Sequence, residues 1–223
     1  MKKIVVIACS MLILCCRINA KDVPQSITTL DELIASMEQA EEEISSVQFD
    51  FKQYLSIPYS GEQQEITGKA YFRKPMNIRV EHSKPEKNIF ITDGTHAWYY
   101  SKSLKQVMAG TWEEIAQGSS NFFRGILNIN QFMDDLMERY NISLNGKKGS
   151  LYELLVTPKG GKAMYEMTIW IDEKDFFPYQ TELRMDTMTI KTEIFRIRKN
   201  KPLSDGLFTF TVPSGVMELP FPY

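Results

Sequence analysis

Apolar and polar positions along the chain alternate with two different periods. Leu30, Leu33, Ile34, Met37 and Ile44 recur at helical spacing, while Glu38, Glu41, Glu42 and Glu43 occupy much of the opposite side, which predicts one amphipathic helix. Thr29 and Glu32 stand three apart at its start, as in a capping box that satisfies orphan amides of the first turn.

From Val47 the period becomes two. Val47, Phe49 and Phe51 alternate with Gln48, Asp50 and Lys52, so that an extended chain turns its apolar set to one side. Strands are predicted at 66–73, 77–82, 88–92 and 97–100, with Asp93-Gly94 as a hairpin turn. The same style resumes at 151–157, 164–171, 179–185, 187–197 and 208–212, separated by Pro158-Lys159-Gly160-Gly161, Asp172 to Asp175 and Ser204-Asp205-Gly206. Between the two runs, Thr111 to Tyr140 is bulky, apolar and helical in pattern. Thr111 and Glu114 form a second capping box there, and Trp112, Phe122, Phe123, Phe132, Met133 and Met137 supply the bulk. Roughly ten strands with one leading helix and a helical insert predict an α+β fold: a curled, incompletely closed antiparallel sheet whose inserted helices lie over its concave face.

The ends of the chain change the picture next. Lys2 and Lys3, an apolar run from Ile4 to Cys16, and Ala20 preceded by Ile18 read as a secretory leader cleaved after Ala20. The run is shorter than the roughly twenty residues of a membrane span. All three cysteines, Cys9, Cys15 and Cys16, lie inside it, so residues 21–223, read as a single domain, carry no disulfide, thiolate metal site or cysteine nucleophile. A lipid anchor at Cys15 or Cys16 is the rival reading, although Leu14 precedes Cys15 where a small residue is expected. Loss of Lys2, Lys3 and Arg17 from the 26 basic residues leaves 23 against 28 acidic ones. A mildly acidic, mixed-sign chain lacks the concentrated basic face that nucleic-acid binding needs.

Candidate chemistry is sparse. His82 and His96 have no His or Cys neighbour at metal-ligand spacing. Ser119-Ser120 lacks the second glycine of a nucleophile elbow, Gly161-Lys162 is followed by Ala163 rather than Ser or Thr, and Asp172 to Asp175 lacks calcium-loop spacing. Neither a metal nor another cofactor is implied, and the balance moves from an enzyme towards a binding protein.

Specific residues carry more than pattern. Phe49-x-Phe51-x-Gln53, then Gly68 followed by Arg73-Lys74-Pro75, then Ile91-Thr92-Asp93-Gly94-Thr95-x-x-Trp98-x-Tyr100 and Gln106, and finally Phe208 to Val216, resemble the signature blocks of the periplasmic outer-membrane lipoprotein carrier family, the LolA-like proteins. The resemblance implies a half-barrel with a helical lid over an apolar cavity, and a monomeric carrier that is not an enzyme. Such a carrier takes acylated lipoproteins from an inner-membrane release complex and delivers them to an outer-membrane acceptor. On this reading Phe49, Phe51, Phe72, Ile78, Val80, Phe90, Trp98, Tyr100, Met133 and Met137 line the acyl-chain cavity. The family's arginine before the turn proline, which bonds lid carbonyls, is replaced here by Lys74. Arg73, one residue earlier, points to the other face of an extended chain and is no substitute. Two further readings are an envelope sensor of the same fold that binds without shuttling, and a hydrolase using Asp93 or Glu81.

Overall fold

The structure is a computed structural model that describes residues 27–113, 137–160 and 165–221. The leading helix α1 spans Leu30–Glu42, with Thr29 as its N-cap. The Thr29 hydroxyl accepts from the Glu32 amide at 3.2 Å, and the Glu32 carboxylate accepts from the Thr29 amide at 3.1 Å. Both halves of the expected capping box are therefore made.

Twelve strands follow among the described residues: β1 (Ser46–Ile57), β2 (Glu62–Arg73), β3 (Asn77–Lys84), β4 (Asn88–Thr92), β5 (His96–Ser101), β6 (Gln106–Thr111), β7 (Tyr140–Lys148), β8 (Leu151–Pro158), β9 (Glu166–Asp172), β10 (Pro178–Arg184), β11 (Thr189–Lys199) and β12 (Met217–Pro220). They form one sheet in the order β12-β6-β5-β4-β3-β2-β1-β11-β10-β9-β8-β7. Every pairing is antiparallel except β12 on β6, and the sheet does not close, because β12 and β7 remain its edges. The α+β half-barrel architecture is as expected. β1 joins the two runs of strands by pairing β2 on one side and β11 on the other. A bulge on β11 opposite Gln48 to Asp50 puts Arg196 at a φ of 55°, and its guanidinium bonds Asp50 at 2.8 Å.

Three strands differ from the sequence reading. The sequence pattern predicts neither β6 nor β7, which flank the insert, nor the four-residue, all-exposed β12. Residues 208–212, expected as a strand, pair with none. They follow a 3₁₀ turn at Asp205–Leu207 and lie against the outer face of the sheet, with Phe208 buried and Phe210 against Trp98 and Tyr100. Alternation there reports a segment with one side buried, which a ladder is not needed to produce.

Alternation divides the sheet into an inner face, on which α1 lies, and an outer one. Leu33 and Met37 of α1 pack with Tyr140, Tyr152, Leu154, Val156, Met167, Ile169 and Ile171 on the inner face of β7 to β9. A second inner cluster gathers Val47, Phe49, Phe51, Ala70, Phe72, Ile78, Val80 and Ile194 with Ile44 and Phe177. The outer face of β1 and β2 is charged, with Lys52 3.8 Å from Glu65. Glu41 departs from the expected solvent side of the helix, being buried where the chain leaves α1. The leader, most of the insert and Glu114 of its capping box lie outside the described residues.

Candidate functional site

The second inner cluster is ordered in rows across the strands. Val47 pairs with Phe72, which pairs with Ile78; Phe49 pairs with Ala70, Ala70 with Val80, and Val80 with Phe90. The Phe49 and Phe72 rings stack with centroids 5.6 Å apart, Phe177 meets Phe49 edge-on at 6.4 Å, and Phe90 lies 6.4 Å from Trp112. Aromatic side chains bring large apolar area at low rotamer cost. In the next row Phe51 pairs with Gly68, and the ring approaches His82 edge-on at 5.8 Å. Gly68 is required at this point, since a Cβ would fall on the Glu81 carbonyl oxygen and within 2.5 Å of the Phe51 ring.

Six of the ten expected lining residues, Phe49, Phe51, Phe72, Ile78, Val80 and Phe90, thus share one surface. Trp98 and Tyr100 do not. Trp98 pairs with Ile91 and Tyr100 with Ile89, which places both on the outer face, where the Phe210 ring covers them at 6.3 and 5.6 Å. The residues of β5 that do reach the inner face are Ala97, Tyr99 and Ser101, and Tyr99 continues the row of Phe90 to Met108 on β6. Burial, reinforced by the nearby Glu86 carboxylate, pushes the Tyr99 hydroxyl pKa up. Met137 is exposed and joins neither cluster, its carbonyl accepting from Lys159 at 2.5 Å. Met133 lies outside the described residues.

Lys74 and Arg73 part as the pleat requires. The Lys74 ammonium donates to the Glu41 carbonyl at 2.8 Å and pairs with the Glu41 carboxylate at 2.6 Å, binding the β2–β3 turn to the last turn of α1. Arg73 turns to the other side. It donates to the Leu203 carbonyl at 3.0 Å and the Asp205 carboxylate at 2.7 Å, and its guanidinium stacks 4.8 Å over Phe208. Arg79 adds a bond to the Leu207 carbonyl at 3.0 Å, so the two arginines hold the C-terminal segment on the outer face.

The carboxylates considered for hydrolysis have structural partners. Asp93 accepts from the Thr95 and His96 amides at 2.8 and 2.7 Å; partial burial opposes its ionisation, yet these bonds outweigh it and hold the carboxyl below the usual range. Glu81 lies on the outer face and accepts from the Arg79 guanidinium at 2.6 Å. Among the described residues, no three His, Cys, Asp or Glu side chains gather as a metal site would require.

Comparison with known proteins fits this geometry. The sequence model of the family described as "Outer membrane lipoprotein carrier protein LolA" matches residues 42–211. The chain is similar to an outer-membrane lipoprotein carrier protein of Vibrio campbellii, with 28% identity over 167 residues that make up 75% of this chain and 76% of the relative. Among solved structures it is similar to an uncharacterized conserved protein of Thermus thermophilus, with 13% identity, a TM-score of 0.58 and coverage of 86% of this chain and 98% of that one. It is also similar to the lipoprotein LppX of Mycobacterium tuberculosis, with 13% identity, a TM-score of 0.51 and coverage of 79% and 99%. The two structural likenesses speak for the fold alone.

Proposed function

This chain belongs to the family of outer-membrane lipoprotein carrier proteins of the LolA type, and we propose that it receives the acyl chains of lipoproteins at the inner membrane and delivers them to the outer membrane. Proteins of this family are periplasmic carriers. In this reading residues 1–20 export the chain and are removed, residues 21–223 act as one domain, and a release complex and an acceptor stand at either end of the route.

The observation that carries the proposal is the aromatic inner face of β1 to β4, to whose buried cluster α1 contributes no residue among those described. Each methylene exposed to water costs about 0.8 kcal/mol, so acyl chains cross an aqueous compartment only when shielded. Phe49, Phe72, Val80 and Phe90 form a surface fit for hydrocarbon. Lys74 stands at the family's arginine position and, by its two contacts to Glu41, ties the turn beside that surface to α1.

Mass spectrometry of protein purified without detergent tests the reading, with acylated species expected to co-purify. Phe90→Asp is expected to abolish acyl-chain uptake while circular dichroism stays native. A wild-type protein that takes up no acylated ligand overturns the proposal. Ligand retained in full when outer-membrane acceptor is added overturns delivery and leaves a sensor that binds without shuttling.

A further inference from the structure

The inner face changes character along the strands. Beyond the apolar row of Phe49, Val80 and Phe90 comes a polar one: His82, Asn88, Ser101 and Gln106, contributed by β3, β4, β5 and β6 in turn. Asn88 pairs with Ser101 and Ser101 with Gln106, while His82 lies one step beyond the Glu81–Ile89 pair and so beside Asn88. The shift of two residues separates the rows by about 6.6 Å. The polar row is the one next to the β3–β4 and β5–β6 hairpin loops, at the rim of the apolar surface.

One group in this row is unpaid. The Asn88 side-chain oxygen is buried without a hydrogen-bond partner, a state that costs free energy and that a ligand donor relieves. Its neighbours in the row carry no fixed charge: burial lowers the His82 pKa and so favours the neutral imidazole, and the buried Ser101 hydroxyl meets that of Ser103 at 3.3 Å. Glu86, in the adjoining β3–β4 loop, accepts from Ser103 at 2.8 Å. Hydrocarbon on the apolar rows would put the polar linkage of an acyl chain at this row. An ester linkage offers only acceptors, whereas an amide offers an N–H.

We propose that Asn88, flanked by His82 and Ser101, is the subsite for the amide that joins an acyl chain to the N-terminus of an acylated lipoprotein, its Oδ1 accepting the amide N–H. The inference rests on the carrier reading and adds to it a group that distinguishes lipoprotein from phospholipid.

The test compares the wild-type mature protein with Asn88→Leu, and with Asn88→Ala as a second variant, on three probes: a triacylated lipopeptide, phosphatidylcholine, which has ester linkages and no N–H, and the hydrocarbon diphenylhexatriene. The leucine variant is expected to lose about tenfold in lipopeptide affinity, the value of one hydrogen bond to a buried group, with the other two probes unaffected. Its Tm is expected to equal or exceed that of wild type, because an unpartnered oxygen has gone; an asparagine with a purely structural role would lower it. Unchanged lipopeptide affinity, or equal weakening for all three probes, overturns the subsite. Failure of the wild type to bind any probe overturns the carrier reading instead.

Discussion

The two halves of the inner face are built from the same ladder but completed differently. On β7 to β9 the apolar residues are mainly aliphatic, and α1 closes over them with Leu33 fully buried. On β1 to β4 the surface is rich in phenylalanine, with the Phe49 and Phe72 rings stacked and Phe51 edge-on to His82, and it grades into a polar row within a few residues. One half is a core supplied with its own cover. The other has the aromatic area and orphan polar group to which the proposed function assigns a guest. The contrast teaches that continuous hydrogen bonding does not make a sheet functionally uniform, since the residues on each row decide what lies on it.

The largest expected effect falls on the closed half. Leu33→Ala deletes a buried side chain where α1 meets β8 and β9, and is expected to cost about 3 kcal/mol in urea unfolding. Acyl-ligand affinity of the folded variant is expected to stay within about twofold, because distant sites are independent. A large loss of affinity in this variant would break the division between the halves.

Gly68→Ala sharpens it from the other side. The new methyl group must displace both the Phe51 ring and the Glu81 carbonyl, at an expected cost of about 2 kcal/mol or more. Since Phe51 belongs to the proposed binding surface, ligand affinity should fall together with stability, unlike in Leu33→Ala. Equal ligand affinity before and after the change would show that Phe51 takes no part in binding.

Much of this was legible in the sequence, and the reasons for the misses are physical. The capping box, the helical stripe and the period-two runs each report a local rule, and they located α1 and most strands. β7 was missed although Tyr140, Ile142 and Leu144 alternate inward, because it begins where an apolar helical insert ends. β12 has only Met217 and Leu219 alternating with Glu218, too short a run to predict a strand, and both its sides are exposed. The misplacement of Trp98 and Tyr100 comes from parity. β4 and β5 close with Thr92 opposite Ala97, so the intervening four residues set Phe90 against Tyr99 and Ile91 against Trp98. In a run of three consecutive aromatics, composition does not say which alternate set turns inward; the length of the closed turn does. Asn88 escaped notice because a lone asparagine has no motif, and only the register aligns it with His82, Ser101 and Gln106.

The seam between the halves yields a smaller effect. Lys74→Met removes the cation from Glu41, whose side chain is 10% exposed, against 33% for Lys74. Losing a partner of a fully buried pair costs more, but solvent access to the lysine reduces the expected loss to about 1 kcal/mol. Lys74→Arg should recover most of it. If the ion pair holds the halves in a closed arrangement, Lys74→Met will also speed ligand release in stopped-flow displacement. An unchanged release rate alongside reduced stability would restrict Lys74 to holding the fold.

The smallest effect concerns pH and the polar row. Burial lowers the His82 pKa below its ordinary 6.5, so the unfolded chain binds a proton more readily than the folded one. The contribution of this group is therefore fully present above pH 6.5 and is lost as pH falls through that value towards the folded pKa, a direction opposite to that of a histidine gaining an acidic partner. Denaturant midpoints of wild type and His82→Gln, measured between pH 7.5 and pH 5, should run parallel above pH 6.5 and converge or cross below it, as the variant no longer has an imidazole to protonate. The pH dependence of Leu33→Ala should follow the wild type, because α1 and its cover over β7 to β9 place no histidine in that half. Identical slopes for His82→Gln and wild type would mean that the polar row is already open to water when empty, and would remove the distinction between a dry guest surface and an ordinary rim.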